Sequence, residues 1–330
     1  MKKILLSGVK PTGRPHIGNY FGAMKQFVDL QDEYESYIFI ADYHALTTLQ
    51  DAEELAENSL NIALDYLAVG LDPGKTTLFK QSDVPEVCEL AWIFNCLTTV
   101  SYLERAHAYK DATARGREPN VGLFDYPMLM AADILIQDAD VVPVGADQKQ
   151  HVEYARDTAE KFNRTFDKAK VGDFSQTFKL PTPLILENVK TVPGINGQKM
   201  SKSYGNVIPL FIGDEEIRRL VMSIVTDSGS GLPQNVFAIH ELFRPKSNSV
   251  GANDKKSLDE LYEEKRGKYQ HLKEALIADI SAFMKPLRER REILAKDKNS
   301  VKEILKAGGA RARARAAQKM ELVRKKVGVV

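Results

Sequence analysis

Short apolar runs alternate with helix-spaced apolar positions through the N-terminal half of the chain. Lys3 to Ser7 reads as a strand, Ile17 to Leu30 as a helix with Ile17, Phe21, Met24 and Val28 inward, and Tyr37 to Asp42 as a buried strand. Asp51 to Val69 places Leu60, Ala63, Leu64 and Leu67 on one helical face. Thr77 to Phe79 is a further strand, and "VVPVG" (Val141 to Gly145) ends another at a glycine. This alternation predicts an α/β, Rossmann-like doubly wound parallel sheet, in which ligands bind beyond the carboxyl ends of the strands. Residues from about 84 to 137 read as mainly helical, an insertion expected to carry an oligomer contact. After Asn206 strand signals become rare, and helices are expected over Asp214 to Val225, Ser257 to Leu287 and Asn299 to Val327, with a polar stretch from Ser228 to Asn253. The expected organisation is a catalytic domain over 1–206 and a mostly α-helical domain over 207–330.

Composition narrows the class without selecting a partner. A chain of 330 residues can bury two cores, and its net charge of +1 favours neither polyanions nor polycations. Two cysteines, Cys88 and Cys96, are too few for a disulfide framework or a multi-cysteine metal site. No run approaches the ~20 apolar residues of a membrane span, and the apolar run after "MKK" is too short for a secretory signal. The expectation is a cytoplasmic protein with no membrane partner.

The chemistry begins at "SGVKPTGRPHIGNY", Ser7 to Tyr20. Its glycines miss the G-x-G-x-x-G spacing of a dinucleotide fingerprint, and Arg14 and Pro15 stand where a P-loop needs Lys and a hydroxyl. What remains is "HIGN", His16 to Asn19, opening a helix. Far along the chain "KMSKS", Lys199 to Ser203, follows the glycine-containing loop "PGINGQ". Either stretch alone could be an ordinary solvated loop. In this order, behind a first strand and behind a sheet domain, they resemble the paired signatures of class I aminoacyl-tRNA synthetases.

The residue types suit that chemistry. Amino-acid activation is an in-line attack of a carboxylate on the α-phosphorus of ATP, so the protein must position groups and stabilise phosphate charge. His16 can donate to a phosphate oxygen, Gly18 leaves room for the nucleotide, and Asn19 adds a donor at a helix start. Lys199 and Lys202 supply mobile charges for the departing pyrophosphate.

A second signal is Asp133, inside the otherwise apolar "LFDYPMLMAADIL" (Leu123 to Leu135). A carboxylate there needs a partner. That partner is either structural or a flat, apolar ligand with one donor, packed against Met130. Indole and phenol both fit, so Asp133 by itself does not separate tryptophan from tyrosine.

A longer resemblance does. "GLFDYPMLMAADIL", "VVPVGADQKQHVEYARDTAEKFN", "SGVKPTGRPHIGNYFGAM" and "ADYHALT" are similar to bacterial tryptophanyl-tRNA synthetases, strongly to about Asn206 and more weakly to the C-terminus. The resemblance implies that tryptophan is activated with ATP and Mg²⁺ and transferred to tRNA(Trp) by a homodimer; a tyrosyl-tRNA synthetase is the alternative. It implies catalytic roles for His16, Asn19, Lys199 and Lys202. It places Lys10, Thr12, Gly18, Gly145, Asp147, Met200 and Ser201 at ATP, and Leu6, His44, Tyr126, Met130, Asp133, Val142 and Gln148 at tryptophan, with Gln148 on the amino-acid head group. His151 is expected to be a structural residue instead. Two departures lie near ATP: many bacterial members have Gln where Lys10 stands, and "HAYKD" (His107 to Asp111) replaces a "TQFK" type segment.

The last helix completes the expectation. Arg311 to Lys326 carries seven basic residues against one acidic. Ala312, Ala316, Met320, Val323 and Val327 form an apolar face, and Arg311, Arg315 and Lys319 a basic one expected to meet the tRNA anticodon arm. Lys149 and Arg156 are expected near the acceptor stem.

Overall fold

The structure, a computed structural model, describes residues 2–116, 118–145, 149–167, 176–185, 192–226, 232–244 and 257–329. Five strands, β1 (Ile4–Val9), β2 (Glu35–Ile40), β3 (Thr76–Lys80), β4 (Val141–Val144) and β5 (Thr182–Ile185), form one sheet in the order β3-β2-β1-β4-β5. Every pairing is parallel. This is the doubly wound order, with its switch point between β1 and β4, so a crevice opens beyond the ends of those two strands. The expected strands are all present. β5 went unforeseen because its four residues contain a proline and none is fully buried.

Alternation along the strands makes two cores. Leu5, Ile38, Ile40 and Leu78 point to one face, where α1 (17–30) and α2 (Ala52–Val69) pack. Ile4, Leu6, Tyr37, Phe39 and Phe79 point to the other, toward α3 (Glu86–Leu97), α5 (Val121–Ile136) and α6 (Lys149–Phe162). The residues between β3 and β4 are helical as expected, with α4 (His107–Ala114) beside α5.

The C-terminal part is helical: α7 (Asp214–Met222), α8 (Gln234–His240), α9 (Leu258–Glu264), α10 (Tyr269–Lys296) and α11 (Lys298–Val327). The single helix expected over 257–287 is two. Gly267, at a φ of 75°, turns the chain in the left-handed region between α9 and α10. α10 then runs on past Pro286 to Lys296.

α11 crosses the edge strand β3 and joins both cores, through Val301 and Leu305 on one side and Ala312, Ala316, Met320 and Val323 on the other. Gly308 makes the crossing possible, because a Cβ there would lie 1.9 Å from the carbonyl oxygen of Leu78. The apolar face of α11 is as expected. Two of its three basic-face residues are half-buried against the sheet domain: Arg315 donates to the Gln137 carbonyl, Lys319 to that of Thr177, and Lys319 also pairs with Asp138 at 2.6 Å, while Arg311 stays exposed. These cations satisfy carbonyls at the rim of the sheet domain. Their long apolar stems cover the groove between. Arg311 likewise reaches Thr77 and the Pro73 carbonyl.

Candidate active site

The start of α1 is built by the residues that make its chemistry. His16 is the N-cap: its Nδ1 accepts from the Asn19 N–H at 3.3 Å, and Asn19 Oδ1 accepts from the His16 N–H at 3.0 Å. This reciprocal cap leaves the neutral ring's proton on Nε2, so Nε2 can donate. Gly18 is required by the same ring, since a Cβ at that position would sit 2.9 Å from Nδ1 of His16. The expected single helix starts with one α turn, passes through a π turn at Tyr20–Met24 and resumes at Lys25–Leu30. Such π turns often mark functional sites.

The "KMSKS" loop is pinned beside this turn. Ile17 N–H donates to the Ile208 carbonyl and Leu210 N–H to that of Pro15, which ties the segment after the loop to α1. Asn206, 1% exposed, accepts from the Ser201 N–H and donates to the carbonyl of Lys199. Lys202 then reaches back, donating to the carbonyls of Thr12 and Gly13 at 2.7 and 3.0 Å. Burial, and next the charge of Lys202, push the His16 pKa down to about 4. His16 is therefore a neutral donor at physiological pH.

Two cavities meet at the carboxyl ends of β1 and β4. One, of about 360 Å³, is lined by Lys10, Thr12, Gly13, His16, Asn19, Ser201 and Lys202 among others. The second, of about 410 Å³, is lined by Leu6, Gly8, His44, Tyr126, Met130, Asp133, Val142 and His151 among others. Lys10 lines both, and its Nζ donates to Thr47 Oγ1 at 3.3 Å. Burial lowers its pKa. Gly8 keeps the second cavity's floor flat, as a Cβ there would overlap the Phe39 ring at 2.4 Å.

Asp133 lies at the bottom of the second cavity, 4% exposed. Its Oδ2 is 2.9 Å from Nε2 of His44, and Nε2 of Gln81 lies 2.9 Å from each carboxylate oxygen. Burial raises its pKa, and the bonds from His44 and Gln81 oppose that rise. Tyr126 stands edge-on to both His44 and His151.

Of the residues expected at tryptophan, Leu6, His44, Tyr126, Met130, Asp133 and Val142 line one cavity. Of those expected at ATP, Lys10, Thr12, Asn19, Ser201 and Lys202 line the other with His16. Gly18, Lys199 and Met200 stand behind it on the same turn and loop, and Gly145 follows β4. Asp147 and Gln148 lie outside the described residues. His151, read from sequence as structural, lines the second cavity. Gln81 was missed altogether. Its only local sign is a polar residue directly after a buried strand, and its contact with Asp133 spans 52 residues.

A histidine-capped glycine turn, a lysine-bearing loop bonded beside it and an adjoining slot with a buried carboxylate make up the site, and the comparisons give the class of enzyme it belongs to. The family described as tRNA synthetases class I (W and Y) matches residues 2–285, and the chain belongs to it. Within that family it falls with the tryptophan–tRNA ligases: one from Fusobacterium nucleatum is 50% identical, with 98% of each chain covered. The crystal structure of tryptophanyl-tRNA synthetase from Campylobacter jejuni complexed with ADP and tryptophan superposes with a TM-score of 0.87 at 42% identity, covering 98% of this chain and 99% of that one. A tyrosyl-tRNA synthetase from Archaeoglobus fulgidus shares the fold at 24% identity and a TM-score of 0.63, with 88% of this chain and 90% of that chain covered.

Proposed function

We propose that this protein is a cytoplasmic homodimer that activates tryptophan with ATP and transfers it to tRNA(Trp). The tryptophan carboxylate attacks the α-phosphorus of ATP, forming tryptophanyl-adenylate as pyrophosphate leaves. A terminal ribose hydroxyl of the tRNA then attacks the adenylate carbonyl, and AMP leaves. The observation that supports this best is Asp133, a buried acceptor at the end of an apolar slot that opens beside His16 and Lys202.

Each group then has a task. Asp133 accepts the indole N–H while Met130 and Tyr126 shape the slot, together with Leu6, His44 and Val142; Gln148 holds the head group. Nε2–H of His16 and the amide of Asn19 donate to phosphate oxygens, and Gly18 admits the nucleotide. Thr12, Gly145, Asp147, Met200 and Ser201 complete the nucleotide contacts. Lys10, lining both cavities, sits where carboxylate and α-phosphate meet. Lys199 and Lys202 follow the pyrophosphate as its charge grows. Mg²⁺ arrives on the ATP phosphates and is held mainly by them and by water.

The domain division follows the same reading, with activation over 1–206 and anticodon recognition over 207–330. Support for the dimer comes from Trp92, 70% exposed on α3, and from Val100 and Val121, which are also exposed. No described helix is long and apolar enough to cross a membrane.

ATP–pyrophosphate exchange with tryptophan and tyrosine offered separately tests the activation step. Exchange is expected with tryptophan alone. In Asp133→Ala, kcat/KM for tryptophan should fall roughly 10- to 100-fold, the cost of a lost bond to a charged acceptor. Exchange driven by tyrosine would overturn the assignment.

A further inference from the structure

Gln81 is 1% exposed and belongs to the short 3-10 turn Gln81–Asp83 that ends β3. Its amide works in two directions: Nε2 lies 2.9 Å from both oxygens of Asp133, and Oε1 accepts from the His44 N–H at 3.2 Å. One side chain thereby fixes the carboxylate and the histidine that also bonds it. The turn is itself held on three sides. Asp42 accepts from the Ser82 N–H at 3.0 Å, and Asp83 Oδ2 accepts from the Lys80 N–H at 3.0 Å. The third constraint is α11, whose Gly309 packs so closely that a Cβ there would lie 2.6 Å from Asp83 Cβ.

Resting on the tryptophan-activating reading above, we propose that Gln81 is the positioning residue for substrate choice. It holds Asp133 as a pure acceptor aimed into the slot, and the last helix holds Gln81 in place. The chemistry follows from the donor set. Two N–H-bearing side chains on one carboxylate leave its remaining lone pairs for a substrate donor, and a ring N–H is then bound while an isostere without it is refused. Without Gln81 the carboxylate can rotate about its side-chain bond and loses a donor that favours its ionised form.

The test is Gln81→Met, which keeps volume and removes the amide, assayed by ATP–pyrophosphate exchange with tryptophan and with 3-(3-benzothienyl)alanine, whose sulfur replaces the ring N–H. Wild type should strongly prefer tryptophan. In Gln81→Met that preference should shrink roughly 10-fold or more, carried by KM for the amino acid, with KM for ATP unchanged. The rise of KM for tryptophan at acid pH, where Asp133 takes up a proton, should also begin at higher pH in the variant. Gln81→Glu, which restores size but brings a second carboxylate, should move that onset further up. Gly309→Ala, which displaces the turn from outside, should reduce the same preference to a smaller degree. An unchanged preference and pH onset in a normally folded Gln81→Met would overturn the inference while leaving tryptophan activation intact. No exchange with tryptophan in wild type would overturn the activation reading itself.

Discussion

The ammonium of Lys202 is bonded at 2.7 Å to the carbonyl of Thr12, 190 residues earlier in the chain. Carbonyls are weak competitors for an ammonium compared with phosphate. This contact parks the lysine at the rim of the cavity beside His16, with no carboxylate among the described residues bonded to it that would have to be displaced. Lys202→Ala is expected to lower kcat for pyrophosphate exchange roughly 10²-fold, with KM for tryptophan nearly unchanged. Steady-state exchange kinetics check it, and a loss carried entirely by KM for tryptophan would contradict the placement.

His16 should stay neutral far below the usual histidine range. Its folded pKa of about 4 lies under the ordinary histidine value of 6.5 because burial and then Lys202 disfavour the imidazolium. Between those values the unfolded chain binds a proton that the native state does not, so this group makes stability fall as pH drops from 6.5 to about 4. Above 6.5 it contributes no slope. Nitrogen NMR of the labelled ring should show the Nε2–H tautomer at pH 6 and a midpoint near 4. Lys202→Ala should raise that midpoint by removing a nearby positive charge.

Gly18→Ala should damage catalysis more than folding. An added Cβ would press on Nδ1 and Cε1 of His16 at 2.9 and 3.0 Å and would touch Met200 at 3.6 Å. The ring is the part that can move, and it is the part that donates. We expect pyrophosphate exchange to fall at least roughly tenfold, as misplaced donors cost rate steeply, with thermal unfolding shifted by only a few degrees. Parallel exchange and melting measurements would show it.

How much of this was legible in the sequence depends on the range of each contact. β1, the "HIGN" turn and "KMSKS" are local strings whose backbone geometry is set within a few residues, and they could be read in order. Asp133 stood out because a charge in an apolar helix is locally anomalous. Its partner Gln81 did not, because only the fold brings the end of β3 under α5. The basic face of α11 misled for a related reason. Arg315 and Lys319 look solvated along the helix, yet the carbonyls of Gln137 and Thr177 meet them there. Likewise, Gly308 and Gly309 weaken a helix locally, and their reason lies in β3 and Asp83.

Arg291 and Asp65 carry the last prediction, one about stability. Asp65 on α2 is fully buried, and Arg291 of α10 donates its Nε to Oδ1 and another N–H to Asn61 at 3.0 Å. The second oxygen, Oδ2, has no hydrogen-bond partner among the described residues. Burial outweighs the guanidinium, so the folded pKa of Asp65 is raised. A raised carboxylate pKa means that its contribution is fully present below the unfolded value and is lost as pH rises through the folded one. Arg291→Met would leave a buried, unpaired carboxylate, and at pH 7 unfolding should become easier by about 3–5 kcal/mol. The same variant should recover much of that loss toward pH 4, where Asp65 takes up a proton. Adding Asp65→Asn, which removes the charge altogether, should rescue Arg291→Met at neutral pH. Denaturant unfolding of the wild type and the two variants at pH 7 and pH 4 provides the measurement, and a pH-independent penalty in Arg291→Met would show that the pair is held by packing and not by charge.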